Sequence, residues 1–369
     1  MKEMPNFFCN LATSLTKKFM ITKIIDEDLI QQAKSMIEDA ENIVITTHIS
    51  PDGDAIGSSL ALCDFLKSIG KESYVVVPND LPGFLKWMSG ASDIIVYEKK
   101  KNIADALIAK ADLICALDFN ILKRIENVAL SVADSAAKKL MLDHHLNPGN
   151  FADVIISYPQ FASTSEMVFR LICRMGYFTE MTKECAECIY TGMMTDTGGF
   201  TYNSNNPEVY IIISELIKKG IDKDAIYDKV YNNYSESRYR LMGYMLYEKM
   251  KIYPEYGAAM ISLTSEELSK YDFKKGDTEG FVNMPLSIKG VIFSAFFKEE
   301  GGKIKCSFRS QGDVAVNTFA EKFFNGGGHK NASGGESYQS IPETIAKFEE
   351  NLPSMKEELT AELKRRTNG

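Results

Sequence analysis

Through the first half of the chain, short apolar runs alternate with stretches of helical periodicity, and no other feature restricts the fold as much. Residues 42–47 (NIVITT), 73–77 (SYVVV), 94–97, 112–117 (DLICAL) and 139–142 read as strands, and 55–69 reads as a helix ended by Gly70. Runs of this kind, separated by helices, predict a parallel sheet covered on both faces. In such sheets chemistry collects beyond the carboxyl ends of the strands. His48, Asp118 and the triplet Asp143, His144, His145 each directly follow an apolar run.

The pattern then changes. Helices dominate to about residue 247, among them 207–219, closed by Gly220, and 222–232. The polar stretch 231–240 (YNNYSESRYR) reads as part of a connection between domains. Residues 258–263, 288–297 and 303–308 read as strands, with a hairpin turn at 299–302 (EEGG). Residues 313–324 read as a helix leading into the glycine run 326–328, and 342–366 as one final amphipathic helix. A chain of 369 residues exceeds the size at which a single core stops growing. The expected division is an N-terminal extension at 1–22, a first domain at 23–220, a helical linker at 221–250 and a second domain at 251–369. The expected fold class is α/β: an N-terminal doubly wound, mainly parallel sheet with flanking helices, plus a smaller C-terminal α/β domain across a cleft.

Composition removes several functions. A net charge of −8 suits no sequence-blind binder of duplex DNA, because that affinity comes from many Lys and Arg neutralising phosphates. It leaves room for a small anionic substrate in one local site. The seven cysteines are odd in number and scattered, so no disulfide framework is expected. Cys185 and Cys188 form a lone C-x-x-C without a second pair, and read as small residues on a helix at about 182–194 rather than a zinc site. No apolar run approaches the ~20 residues that span a bilayer, so no membrane partner is expected. The first twenty residues read neither as a signal peptide nor as an anchor, with Met20 an alternative start and 1–19 an unordered extension. The expected compartment is the cytoplasm.

The chain has four histidines, His48, His144, His145 and His329, and none lies on a helical face. The segment HISPDGD puts His48, Asp52 and Asp54 within seven residues, and Gly53 permits a tight turn between the carboxylates. An Asp there can cap the following helix. Two Asp and a His exceed what a cap needs, and crowded carboxylates repel unless a cation intervenes. Asp118 ends one strand and Asp143, His144 and His145 end another. Adjacent side chains on an extended segment face opposite ways, so one His can bind metal while the other serves another part of the site. Asp143 can instead fix an imidazole tautomer. Asp196, in TDTGGF, supplies a further carboxylate before a flexible turn. Two imidazoles and four carboxylates without thiolate favour Mn²⁺, Mg²⁺, Co²⁺ or Zn²⁺ in a non-structural site. The four charges of Asp52, Asp54, Asp118 and Asp196 would balance two divalent ions, which together can clamp the oxygens of a phosphoryl transfer. GGGHKNASGG, at 326–335, lets Gly327 and Gly328 bring backbone N–H groups close to an anion, with His329 adding a donor; otherwise it is a flexible loop. Arg309 could add a bidentate phosphate contact. No Walker-type phosphate loop is present.

In order and content these motifs resemble the DHH phosphoesterase family. The triplet Asp143, His144, His145 is the name-giving one, and HISPDGDAIGS, the solitary strand-end Asp118 and DTGGF match its other motifs. GGGHKNASG matches the family's associated C-terminal domain, and the resemblance covers nearly all of the chain after about residue 23. Within the family, the length and the absence of sensory segments resemble the bacterial nanoRNase group. The resemblance implies that residues 23–220 form a catalytic metal-binding domain and 251–369 a substrate-binding domain. It implies two ions, by family habit Mn²⁺. His48, Asp52 and Asp118 would hold one, Asp54, Asp118, His144 and Asp196 the other, and Asp118 would bridge. Asp118 and Asp143 would join His145 as catalytic residues, with His145 on the scissile phosphate. Arg309, Gly327, Gly328, His329 and Ser333 would grip the substrate.

The implied activity is hydrolysis of very short single-stranded oligoribonucleotides to mononucleotides, and of adenosine 3′,5′-bisphosphate to AMP, by a hydroxide activated between the ions. Alternatives are a phosphodiesterase of cyclic or linear dinucleotides, an enzyme like the manganese-dependent pyrophosphatases, and a nucleotide-binding regulator that has lost turnover. Oligomeric state is left open, and a homodimer is compatible with the sequence.

Overall fold

The computed structural model describes residues 22–367. The expected N-terminal extension, as far as residue 21, and Cys9 lie outside the described residues. Two compact units are present. The first takes in the chain to Asn79, Asp93–His144 and Gly149–Ile221; the second takes in Asp80–Ser92, His145–Pro148 and the chain from Asp222.

The first unit is built on six strands: β1 (Asn42–Thr46), β2 (Glu72–Val77), β3 (Ile95–Val96), β4 (Leu113–Leu117), β5 (Lys138–Asp143) and β6 (Val154–Ser157). All pairings are parallel, in the order β3-β2-β1-β4-β5-β6. Every residue of β4 is buried, as expected for a strand with helices on both faces. Chain order reverses between β1 and β4, so the crevice of the sheet opens beyond their carboxyl ends. The apolar run at 94–97 is corrected in part: only Ile95 and Val96 pair, and Tyr97 opens the helix Tyr97–Lys110. The sequence reading had no β6. That strand is four residues long with alternate residues buried, too short to stand out from a turn-rich segment.

The helix Gly53–Ser68 is interior, with thirteen of its sixteen residues buried. It packs along Lys183–Asp196, the helix that carries Cys185 and Cys188 in its buried face. The approach is set by glycines. A Cβ on Gly57 would stand 2.7 Å from the Cys188 carbonyl oxygen and 2.9 Å from the Gly192 backbone. One on Gly53 would stand 2.2 Å from Thr195 Oγ1, and one on Gly192 1.9 Å from Ser165 Oγ.

The second unit holds β7 (Lys251–Tyr253), β8 (Ala258–Leu263), β9 (Phe293–Glu300), β10 (Lys303–Ser310), β11 (Gly327–His329) and β12 (Ala332–Ser337), in the order β11-β12-β10-β9-β8-β7. Only β8 and β9 pair in parallel. Phe293, Phe297, Phe308, Phe319, Phe324 and Phe348 form the centre of its core. The helices Lys223–Tyr231 and Glu236–Tyr244 also belong to this unit.

Four expectations here need correcting. The strand read at 288–297 begins at Phe293, because a turn through Gly290 (φ +87°) precedes it. The helix read at 313–324 is confined to Val316–Phe323. The glycine run is a strand of a two-strand ribbon, β11 on β12, rather than a loose loop. The final helix is two helices, Ile341–Asn351 and Lys356–Thr367, separated by a 3-10 turn that contains Pro353. Proline lacks the N–H that would continue the first helix. Among the described residues no helix is long and apolar enough to cross a membrane.

Gly57→Ala should lower unfolding free energy by ~2–3 kcal/mol, as overpacking against fixed backbone does. Gly243→Ala, on a helix with nothing within 4 Å of the new methyl, should raise it by ~0.5–1 kcal/mol. Urea denaturation followed by circular dichroism measures both.

Candidate metal centre

Six donors from the first unit converge beyond the ends of β1, β4 and β5. Asp118 is at the centre. It directly follows β4, and its φ of +62° puts it in the left-handed region, where an Asp is tolerated better than most side chains. One of its carboxylate oxygens, Oδ2, lies 3.3 Å from His48 Nε2, and the other, Oδ1, lies 3.4 Å from His144 Nε2. His48 Nε2 also lies 3.9 Å from Asp52 Oδ2. His144 Nε2 lies 3.5 Å from Asp196 Oδ2 and 3.9 Å from Asp54 Oδ2. Asp143 is fully buried at the end of β5, with a carboxylate oxygen within 4.8 Å of one on Asp118.

Both imidazoles are oriented from behind. His48 Nδ1 lies 2.8 Å from the Ile49 carbonyl oxygen and His144 Nδ1 3.3 Å from that of Phe161. Donation from Nδ1 leaves the Nε2 lone pair of a neutral ring facing the carboxylates, the arrangement common to metal-binding histidines. Asp52 does two things at once. Its Oδ1 caps the helix Gly53–Ser68 by accepting from the N–H groups of Asp54 and Ala55, while Oδ2 faces His48.

Electrostatics set a problem that cations solve. Burial and the neighbouring charge of Asp118 push the Asp54 carboxyl up to about 7. Burial, with Asp54, Asp52 and Asp118 around it, pushes Asp196 well above the carboxylate range. Burial opposes a charged His144, but its bond to Asp118 and the charge of Asp196 outweigh that and hold it well above its ordinary value. The Asp118 bond and the Asp52 charge raise His48 in the same way. Donor separations of 3.3–3.9 Å exceed those of good direct hydrogen bonds. An N/O set with correctly turned imidazoles and mutually repelling carboxylates fits divalent cations.

Sequence reasoning missed the residues that hold these donors. The backbone N–H groups of Thr164 and Ser165 bond Asp54 at 2.6 and 2.9 Å, and Thr164 Oγ1 donates to Asp118 Oδ1 at 3.0 Å. Glu166, ion-paired with the buried Arg170, accepts from the N–H of Ala162 and so braces the 161–164 turn. Asn79 accepts from the N–H of Ser50 at 2.7 Å and fixes the turn between His48 and Asp52. Arg124 donates to the Asp118 carbonyl at 3.4 Å. A polar residue near the end of an apolar run was the available signal for Asn79; Thr164 had none.

In the second unit, Arg309 on β10 and His329 on β11 both pair in register with Ala332 of β12. They therefore share a face of the sheet, two strand spacings or about 10 Å apart. His145 groups with this unit, its ring centroid 4.2 Å from that of His329. Gly328 (φ +139°) lies where a Cβ would meet the Ala332 carbonyl oxygen at 2.7 Å, so its freedom serves the ribbon. Gly327 pairs with Gly334. Ser333 does lie beside Arg309, whose Nη1 donates to its carbonyl at 3.4 Å, but its side chain is in register with Phe308 on the buried core face, and its hydroxyl donates to the Val316 carbonyl at 2.9 Å.

The DHH family N-terminal domain matches residues 42–193, and the DHHA1 domain matches 257–365. The bifunctional oligoribonuclease and PAP phosphatase NrnA of Thermus thermophilus is 31% identical over 318 residues, 86% of this chain and 90% of that protein. The chain belongs to the DHH family. It is a hydrolase of phosphoester bonds. A crystal structure of an exopolyphosphatase-related protein from Bacteroides fragilis shares 58% identity and a TM-score of 0.89, covering 92% of this chain and all of that one. The cyclic-di-AMP phosphodiesterase GdpP of Geobacillus thermodenitrificans is 25% identical over 85% of this chain, which spans 48% of that protein.

With no cation bound, this cluster favours extra protons. Asp54, Asp196, His48 and His144 are all raised, so near neutrality the folded state binds more protons than the unfolded chain. Stability then falls as pH rises. The melting temperature of EDTA-treated protein should drop from about pH 5.5 to about pH 8, and saturating Mn²⁺ should abolish most of that drop. Differential scanning fluorimetry with and without Mn²⁺ checks this.

Proposed function

We propose that this DHH protein hydrolyses very short oligoribonucleotides to mononucleotides and adenosine 3′,5′-bisphosphate to AMP, using two Mn²⁺ ions. The observation that carries the reading is Asp118, which turns one carboxylate oxygen to each of two imidazoles. That is the donor arrangement for a bridging ligand. The similarity to NrnA over nearly the whole chain supports the substrate class.

His48, Asp52 and Asp118 would hold one cation, and Asp54, Asp118, His144 and Asp196 the other. When bound, such cations supply Lewis acidity toward phosphoryl oxygens and an acidified water. The protein's own groups do the rest. Thr164 and Ser165 hold Asp54 and Asp118 at fixed angles. The carbonyls of Ile49 and Phe161 keep Nε2 of His48 and His144 turned inward. Asp143 sets a buried carboxyl group beside Asp118. His145 would donate to an oxygen of the scissile phosphate, where charge develops in the transition state. Arg309, His329, Gly327 and Gly328 would hold the substrate's terminal phosphate. We infer action in the cytoplasm on small single-stranded substrates, with no role for duplex DNA in a chain of net charge −8.

A second reading, hydrolysis of cyclic dinucleotides, is favoured by the similarity to GdpP. The assay is product analysis with Mn²⁺ on RNAs of two to about five nucleotides, adenosine 3′,5′-bisphosphate, cyclic di-AMP, pyrophosphate and polyphosphate. Turnover should be fastest on the shortest RNAs, with bisphosphate also cleaved. Preference for the cyclic substrate or for polyphosphate would replace this reading. Asp118→Asn should lose on the order of 1,000-fold in kcat, and Arg309→Ala should mainly raise KM.

A further inference from the structure

The first unit contains three arginines, Arg124, Arg170 and Arg174. Two are committed. Arg170 is buried between Glu166 and Glu208, at 2.7 Å from each, and Arg174 pairs with Glu27 at 2.7 Å. Arg124 differs. No carboxylate lies within 4.0 Å of its guanidinium among the described residues, although it borders the most acidic region of the unit.

Its position is fixed by the chain. The left-handed turn at Asp118 sends the backbone into the 3-10 segment Leu122–Val128, which folds back toward β1. The Arg124 carbonyl accepts the N–H of Ile49 at 2.8 Å, so the residue is tied to the neighbour of His48. Its Nη1 donates to the Asp118 carbonyl at 3.4 Å, a long bond that uses one of five N–H donors. Arg124 thus stands between two metal-ligand candidates, and its charge acts on His48. It is half-buried. Of the donors around His48, Asp52 is the most exposed, its side chain 50% exposed against 3% for Asp118.

Charge counting gives the site its need for such a group. Four carboxylates and two divalent ions sum to zero, and a substrate phosphate adds at least one uncompensated negative charge. A guanidinium fork matches two phosphoryl oxygens, and Arg124 carries one beside Asp118 and the neighbour of His48.

We propose that Arg124 binds non-bridging oxygens of the substrate phosphate, as a catalytic residue supplied by the first unit. The inference rests on the phosphoester reading and extends it by one residue. Wild-type, Arg124→Ala and Arg124→Lys proteins are compared for dinucleotide hydrolysis, Mn²⁺ affinity by calorimetry and melting temperature. Arg124→Ala should lose on the order of 100-fold in kcat/KM while Mn²⁺ affinity changes less than about threefold. Added ethylguanidinium should recover at least about a tenth of the lost activity. Arg124→Lys, which keeps the charge but not the fork, should melt like wild type and still lose about tenfold.

Wild-type rates in Arg124→Ala overturn the proposal. So does loss of Mn²⁺ affinity in step with activity and without guanidinium rescue, which makes Arg124 a clip for the Asp118 turn. Should Arg124→Ala not fold, a wild-type rate in Arg124→Lys overturns it equally. If wild-type protein cleaves none of the phosphoester substrates, the underlying reading fails first and takes this inference with it.

Discussion

The close approach of the helices Gly53–Ser68 and Lys183–Asp196 is the constraint on which the site depends. Strand ends alone supply His48, Asp118 and His144. Asp54 and Asp196 sit at opposite ends of two different helices, far apart in sequence, and reach the same space only because those helices touch backbone to backbone. Gly57 makes that contact possible by having no side chain to separate the axes, and Gly192 leaves room for Ser165 and the Asp54 carboxylate. Their cost in helix propensity, about 1 kcal/mol each, is a small charge against assembling the donor set. Packing and chemistry are therefore the same feature here: a methyl group at Gly192 would meet Ser165 and also the Asp54 carboxylate, at 2.9 Å.

A second constraint follows from where that contact is. The carboxylates gathered by the helices are buried, and buried like charges raise one another's proton affinity. The protein answers this only in part. Two N–H groups at the start of the helix Thr164–Met175 serve Asp54, and a hydroxyl serves Asp118. The residual repulsion, visible in Asp54 raised to about 7, is left for cations to remove. A site fully neutralised by its own lysines and arginines would be stable and would hold no metal.

What could be read in the sequence follows from this division. Strand-end residues announce themselves, because an apolar run that stops at His48 or Asp118 marks both the element and the carboxyl edge. Three strands of the first sheet, β1, β4 and β5, were legible within one residue for that reason. Contacts made by absence were not. Nothing in a lone Gly57 indicates which carbonyl it must admit, and Thr164 looks like an ordinary helix-start residue. In the second unit, the glycine run was legible as a special segment but not as half of a ribbon. The consequence was concrete: strand pairing puts Ser333 on the opposite face from His329, a fact fixed by period-two alternation once the strand is known.

Asp118 shows why the centre could not be built more simply. Its left-handed φ costs roughly 1–3 kcal/mol, which Gly would avoid. Glycine would remove the carboxylate whose two oxygens face His48 and His144. A carboxylate on a regular extended backbone would follow the strand's alternation and could not be set between donors on both neighbouring strands, β1 and β5. The strain buys a direction that the pleat forbids. The same turn carries the chain to Arg124 and returns it to Ile49 by a 2.8 Å bond. One unfavourable dihedral thus sets a ligand's aim and also places the only arginine of the first unit that has no carboxylate partner among the described residues.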